Sequence, residues 1–121
     1  MLNQNYIETP SFEDPVLNAV MQKRIAYQNQ HLRPQPDLNR AAIEKYSAGV
    51  KEHSNKGLAE SGLGVKETLY NAWEESTDKL NYLEHLLQIM NDGIRKDLVK
   101  TLQEKEFITE SAIWRLYEEC G

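Results

Sequence analysis

The sequence predicts an all-α protein: a four to five helix bundle or helical hairpin assembly, preceded by a mobile N-terminal arm. Three observations carry this expectation. Apolar residues recur every three to four positions through most of residues 14–121. No segment shows the strict alternation of a half-buried strand. Asp-Pro, Pro-Gln-Pro and Asn-Asp-Gly punctuation falls between the periodic stretches, where helices start and stop.

Residues 1–13 read as an extended arm, because Asn3, Gln4, Asn5, Thr9 and Pro10 interrupt any periodicity. Tyr6, Ile7 and Phe12 are the side chains that would dock it. Residues 14–121 read as a single helical domain, a normal size for one core. Asp14-Pro15 is a strong helix start, the carboxylate accepting an orphan N–H and the proline preset for the first turn. Leu17, Val20, Met21 and Ile25 then follow helical spacing to about Asn29. Pro34-Gln35-Pro36 enforces a break, since a proline disfavours helix in the residue before it. Asp37 is expected to cap a second helix carrying Ala42, Ile43, Tyr46 and Val50 and ending near Asn55-Lys56-Gly57. Residues 57–64 hold three of the six glycines and read as a flexible loop. They do not make a phosphate-binding loop, because Gly62 is followed by Leu63-Gly64 rather than Lys-Ser/Thr.

The longest periodic segment places Val65, Leu69, Trp73, Thr77, Leu80, Leu83, Leu87, Met90, Ile94, Leu98 and Leu102 on one apolar stripe. Its steps average slightly more than a helical turn, so a heptad seam is expected only locally, from Leu80 to Met90. Asn91-Asp92-Gly93 favours a break into an antiparallel hairpin over one continuous helix. A last helix is expected to start at Thr109, with Ile108 and Ile113 as a hydrophobic staple and Ile113, Leu116, Tyr117 and Cys120 as its stripe.

Charge and composition exclude several function classes. The chain has 121 residues, a net charge of −5 and a pI near 5.2. Residues 1–60 are balanced at seven basic and seven acidic side chains, while residues 61–121 hold seven against twelve. All the acidity therefore lies in the second half, which makes nucleic acid a poor fit as a partner. A lone cysteine, Cys120, cannot close an internal disulfide, and no apolar run exceeds three residues, far short of the roughly 20 of a membrane span. Met1–Pro10 has no basic residue and no apolar stretch, so no signal peptide is expected and a cytoplasmic location is.

Catalytic chemistry is equally unsupported. His31, His53 and His85 stand apart with no metal-ligand spacing, no Cys-x-x-Cys occurs, and Cys120 follows Glu118-Glu119, which disfavour a thiolate. No enzymatic role, no cofactor and no metal is expected. Glu75 with Lys79, Asp92 with Lys96 and Arg115 with Glu119 have the spacing of ordinary helix-surface pairs. What remains is a protein-protein interaction module, an adaptor, chaperone or inhibitor, using the apolar and aromatic face of residues 65–117. Tyr70, Trp73, Leu87, Met90, Trp114 and Tyr117 are its expected partner-binding residues, with helix packing against another protein or formation of a homo-oligomer as the means of covering it. The alternative is an oligomeric nucleic-acid-associated regulator, in which association would gather Lys23-Arg24, Arg33, Arg40 and Arg95-Lys96-Lys100 onto one face.

Overall fold

The computed structural model describes residues 10–52 and 55–120, so Tyr6, Ile7 and His53 lie outside the described residues. Among these the protein is all-helical, without strands. It has α1 (Pro15–His31), α2 (Pro36–Glu52), a short 3₁₀ turn (Leu58–Glu60), α3 (Val65–Ile89) and α4 (Gly93–Glu119). The helices form two hairpins, α1 with α2 and α3 with α4, in two compact units that meet in sequence at Gly62 and Leu63.

In the first unit, Asp14 caps α1 as its sequence predicts. One carboxylate oxygen accepts the Val16 and Leu17 N–H groups at 2.9 and 3.0 Å, and Pro15 opens the helix. Leu17, Met21 and Ile25 form the buried core, with Phe12, Ala42, Ile43 and Tyr46 packed against it. Phe12, the last apolar side chain of the expected arm, therefore docks on its own molecule, and its N–H donates to Asn18 at 3.1 Å. Each fully buried aliphatic side chain in this core contributes about 1.5–3 kcal/mol. Val20, on the same predicted stripe, stays 39% exposed because it lies at the edge of the face α2 covers.

A second carboxylate oxygen of Asp14 ties the hairpin together. The Tyr46 hydroxyl donates to it at 2.9 Å and accepts the Leu58 N–H at 3.1 Å, linking the start of α1, the middle of α2 and the 3₁₀ turn. The Leu17 N–H, foremost among its partners, holds the Asp14 carboxyl below the usual aspartate range, whereas burial pushes the Tyr46 hydroxyl up. Gly57 is buried beside this junction, and a Cβ there would run into the Asp14 carboxylate. The expected flexible loop thus contains a fixed turn. The cap of α2 also differs from expectation. α2 starts at Pro36 with the Gln35 carbonyl accepting the Asn39 N–H at 3.0 Å, and Asp37 lies in the first turn, 3.8 Å from Arg40.

Deeper between α1 and α2, Gln28 and Asn39 are buried and exchange two amide hydrogen bonds, 2.8 and 3.0 Å long. The paired amides satisfy each other where water is excluded, which is the condition for tolerating them in a core.

In the second unit α3 ends at Ile89 and Asp92 caps α4, accepting from the Ile94 and Arg95 N–H groups at 3.0 and 3.2 Å. Asn91-Asp92-Gly93 is therefore the turn of a hairpin. The expected start at Thr109 is not a start. α4 runs unbroken for 27 residues, the Thr109 hydroxyl donates back to the Lys105 carbonyl at 3.1 Å, and Ile108 is 72% exposed, so no staple forms. No glycine or proline occurs after Gly93 within α4, and Glu106 and Glu110 are anchored to α3, so nothing interrupts the helix there.

Replacing Gln28 with Ala strands the buried Asn39 amide and is expected to cost about 1–3 kcal/mol. The Gln28→Ala/Asn39→Ala double variant should lose less than the sum of the two single variants. Urea unfolding followed by circular dichroism, run as a double-mutant cycle, checks this.

Candidate functional site

The sequence-predicted partner residues all belong to the α3–α4 unit. Along α3 and its C-cap, Leu69, Trp73, Ser76, Leu80, Leu83, Leu87 and Met90 are buried or half-buried positions spaced alternately four and three, with Ala72 and Thr77 half-buried beside them. Along α4 and its C-cap the corresponding positions are Lys96, Val99, Gln103, Glu106, Glu110, Ile113, Tyr117 and Cys120, with the same spacing. Both are heptad seams, so the heptad pattern extends through the whole hairpin and not only from Leu80 to Met90.

The register follows from four contacts. Tyr70 meets Tyr117, Trp73 meets Trp114, the Thr77 hydroxyl donates to Glu110 at 2.8 Å, and the Gln103 amide donates to Glu84 at 3.1 Å. Each residue gained along α3 is one lost along α4, as antiparallel packing requires.

The middle of this seam is polar. Ser76, only 3% exposed, donates its hydroxyl to Glu106, and Lys79 reaches the same carboxylate at 3.0 Å. The Ser76 hydrogen bond, with Lys79 adding to it, holds the Glu106 carboxyl below the usual glutamate range. Lys79 thus leaves the helix-surface partner expected for it, Glu75, and Asp92 pairs with Arg95 at 3.6 Å rather than with Lys96. Arg115 and Glu119 do pair as their spacing predicts, at 3.4 Å.

Beyond the polar layer, toward the start of α3, four rings associate. Tyr70–Trp73, Tyr70–Tyr117, Trp73–Trp114 and Trp114–Tyr117 have centroids 5.5, 5.6, 4.9 and 5.1 Å apart, all tilted. The Lys66 ammonium sits 5.3 Å from the centre of the Tyr117 ring. Trp73 and Tyr117 are half-buried, while Tyr70 and Trp114 remain 40% and 37% exposed. Tyr70 and Tyr117 also line an open groove of about 520 Å³ with Leu63, Lys66, Glu67 and Asn71. Four of the six expected partner residues are therefore neighbours. The other two, Leu87 and Met90, are half-buried in the seam at the turn end, about 26 and 30 Å from Tyr70 along the helix axis.

The predicted long stripe divides at the turn. Leu69, Trp73, Leu80, Leu83, Leu87 and Met90 do face α4, but Ile94, Leu98 and Leu102 are 85%, 60% and 45% exposed. The cause is the seam of α4 itself: hydrogen bonds to Ser76 and Thr77 turn Glu106 and Glu110 inward, and the aliphatic row must then turn out. At about 100° per residue, that row lies roughly a third of a turn from the α4 seam. Tyr82, Leu86 and Ile89, also exposed, are offset from the α3 seam by a similar angle in the same rotational sense. In antiparallel helices equal offsets fall on one side, so the two rows form a single aliphatic strip on the turn half of the hairpin. Tyr70 and Trp114 are offset in the opposite sense, toward the other side. A signal for this was present in the polar heptad of α4, which counting apolar residues alone passes over.

No protein family, curated protein or solved structure matches this chain. Function must therefore be read from its own residues. Among the described residues, no three His, Cys, Asp or Glu side chains gather as metal ligands would, and no helix is long and apolar enough to cross a membrane. The exposed apolar side chains and the part-exposed aromatic cluster constitute a surface of the kind that binds other molecules.

Because the folded Glu106 pKa is depressed, its contribution to stability is complete above the ordinary glutamate value and is lost as pH falls through the depressed one. Glu106→Gln is expected to flatten the fall in urea midpoint between neutral pH and about pH 3 relative to the parent protein. Titrating unfolding of both proteins across that range measures the difference.

Proposed function

We propose that this protein is a small non-enzymatic protein-protein interaction module, acting as an adaptor, chaperone or inhibitor through the α3–α4 hairpin. The observation that carries the reading is the division of α4: Gln103, Glu106 and Glu110 share the face toward α3 with Val99, Ile113 and Tyr117, while Ile94, Leu98, Leu102, Ile108 and Leu116 face outward, each between 45% and 85% exposed. A helix packed on a partner ordinarily turns its apolar stripe inward, and exposed apolar patches of this kind mark interaction sites, which supports the reading. Tyr70 and Trp114, whose rings are rigid and partly exposed, suit the role of anchors.

The acidic balance of residues 61–121 disfavours the nucleic-acid alternative, and three of the basic residues it would gather have acidic neighbours. Arg40, Arg95 and Lys100 each lie within 4 Å of an aspartate three residues away. Such pairs weaken the local positive field that phosphate binding depends on.

A photo-activatable amino acid placed at Leu98 or Trp114 of the intact chain is expected to yield covalent protein adducts in the cells that make it, while the same group at Lys51 on α2 yields none. Adducts absent from both hairpin positions, or equal at all three, would overturn the reading.

A further inference from the structure

We propose that the aliphatic strip formed by Tyr82, Leu86, Ile89, Ile94, Leu98 and Leu102 docks against the same strip of a second copy of this chain, closing two hairpins into an antiparallel four-helix bundle. This deepens the reading of the hairpin as an interaction surface and rests on it.

Area is the first argument. With exposures of 72%, 39%, 58%, 85%, 60% and 45%, the six side chains leave accessible an area on the order of 700 Å². A stable interface buries about 800 Å² per partner, so the strip with its immediate rim is of the size that sustains a dimer, and its aliphatic character matches the centre of homodimer interfaces.

Self-complementarity is the second. A two-fold interface is isologous, so a residue i that meets j of the other copy is matched by j meeting i, and only residues on the axis meet themselves. Ile94 and Leu102 lie four residues to either side of Leu98, and the register that sets Tyr70 against Tyr117 and Thr77 against Glu110 brings Ile89 level with Leu98. An axis through Leu98 sets Ile94 of one copy against Leu102 of the other, with large apolar side chains at both ends.

Charge at the ends agrees with the same axis. Lys105 follows Leu102 by three residues on the outward face of α4, and Asp92, whose side chain is 50% exposed, precedes Ile94 by two at the turn. The axis level with Leu98 carries Lys105 of each copy toward the turn of the other, where Asp92 lies beside Arg95.

Light scattering and sedimentation of the full chain test this. The expected mass is twice the 14.0 kDa of one chain, falling to a single chain on dilution. Leu98→Glu should weaken association by more than about 100-fold, because it places two like charges at the axis with no partner. Tyr70→Ala, on the other side of the hairpin, should leave association unchanged. Leu98→Cys in a Cys120→Ser background should form a disulfide-linked dimer under mild oxidation, a readout independent of any folding defect in Leu98→Glu. A single-chain mass at about 100 μM, with no cross-link at Leu98, overturns the dimer. If photo-adducts at Leu98 are then to foreign proteins, the interaction reading stands without it. If Leu98 instead cross-links only to residues 10–62 of its own chain and Trp114 gives no adduct, both readings fall.

Discussion

The orientation of α4 depends on two carboxylates. Glu106 and Glu110 lie on the seam that meets α3, where Ser76, Lys79 and Thr77 supply their hydrogen-bond partners. Rotating α4 by a third of a turn would bring Ile94, Leu98 and Leu102 inward while turning out Val99, Ile113 and Tyr117. It would also remove both carboxylates from their partners and leave Ser76, now 3% exposed, with its hydroxyl unsatisfied. It would further break the Trp73–Trp114 and Tyr70–Tyr117 contacts, which belong to the same register. Polar specificity at the centre and aromatic packing at one end together hold α4 with its aliphatic row turned out.

That arrangement gives the hairpin two unlike sides. One carries the aromatic group, part-covered and bordered by Lys66 and Glu67, with an open groove beside it. The other carries the aliphatic strip near the turn. Interfaces enriched in Tyr and Trp suit anchoring of a polar-rimmed partner, whereas a flat aliphatic strip suits permanent burial. Division of labour between the two sides, self-association on one and partner capture on the other, is consistent with both proposals. It also accounts for the acidity of residues 61–121 as the solvated remainder of the same two helices.

The α1–α2 unit follows a more conventional plan. Its small apolar core is supplemented by polar junctions, the Asp14–Tyr46–Leu58 link and the Gln28–Asn39 pair, each satisfied within the unit. Both set the alignment of α1 on α2 through directional hydrogen bonds, which apolar contacts between Leu17, Met21, Ile25 and Ile43 cannot do alone.

Local chemistry in the sequence determined the helical class, the Asp14-Pro15 start, the break at the paired prolines, the hairpin turn at Asn91-Asp92-Gly93 and the core positions Leu17, Met21 and Ile25, since capping, φ restriction and apolar periodicity act over a few residues. It also assembled four aromatic residues that do meet, because Tyr70, Trp73, Trp114 and Tyr117 share helical spacing within their own helices. Only tertiary structure decided that α4 runs through Thr109, a competent cap that becomes an interior residue when flanking side chains are tied to a neighbouring helix. Tertiary contacts also decided which face of α4 is inside. The apolar pattern favours Ile94, Leu98 and Leu102, but the partners that satisfy Glu106 and Glu110 lie thirty or more residues away on α3, and nothing local to α4 records them.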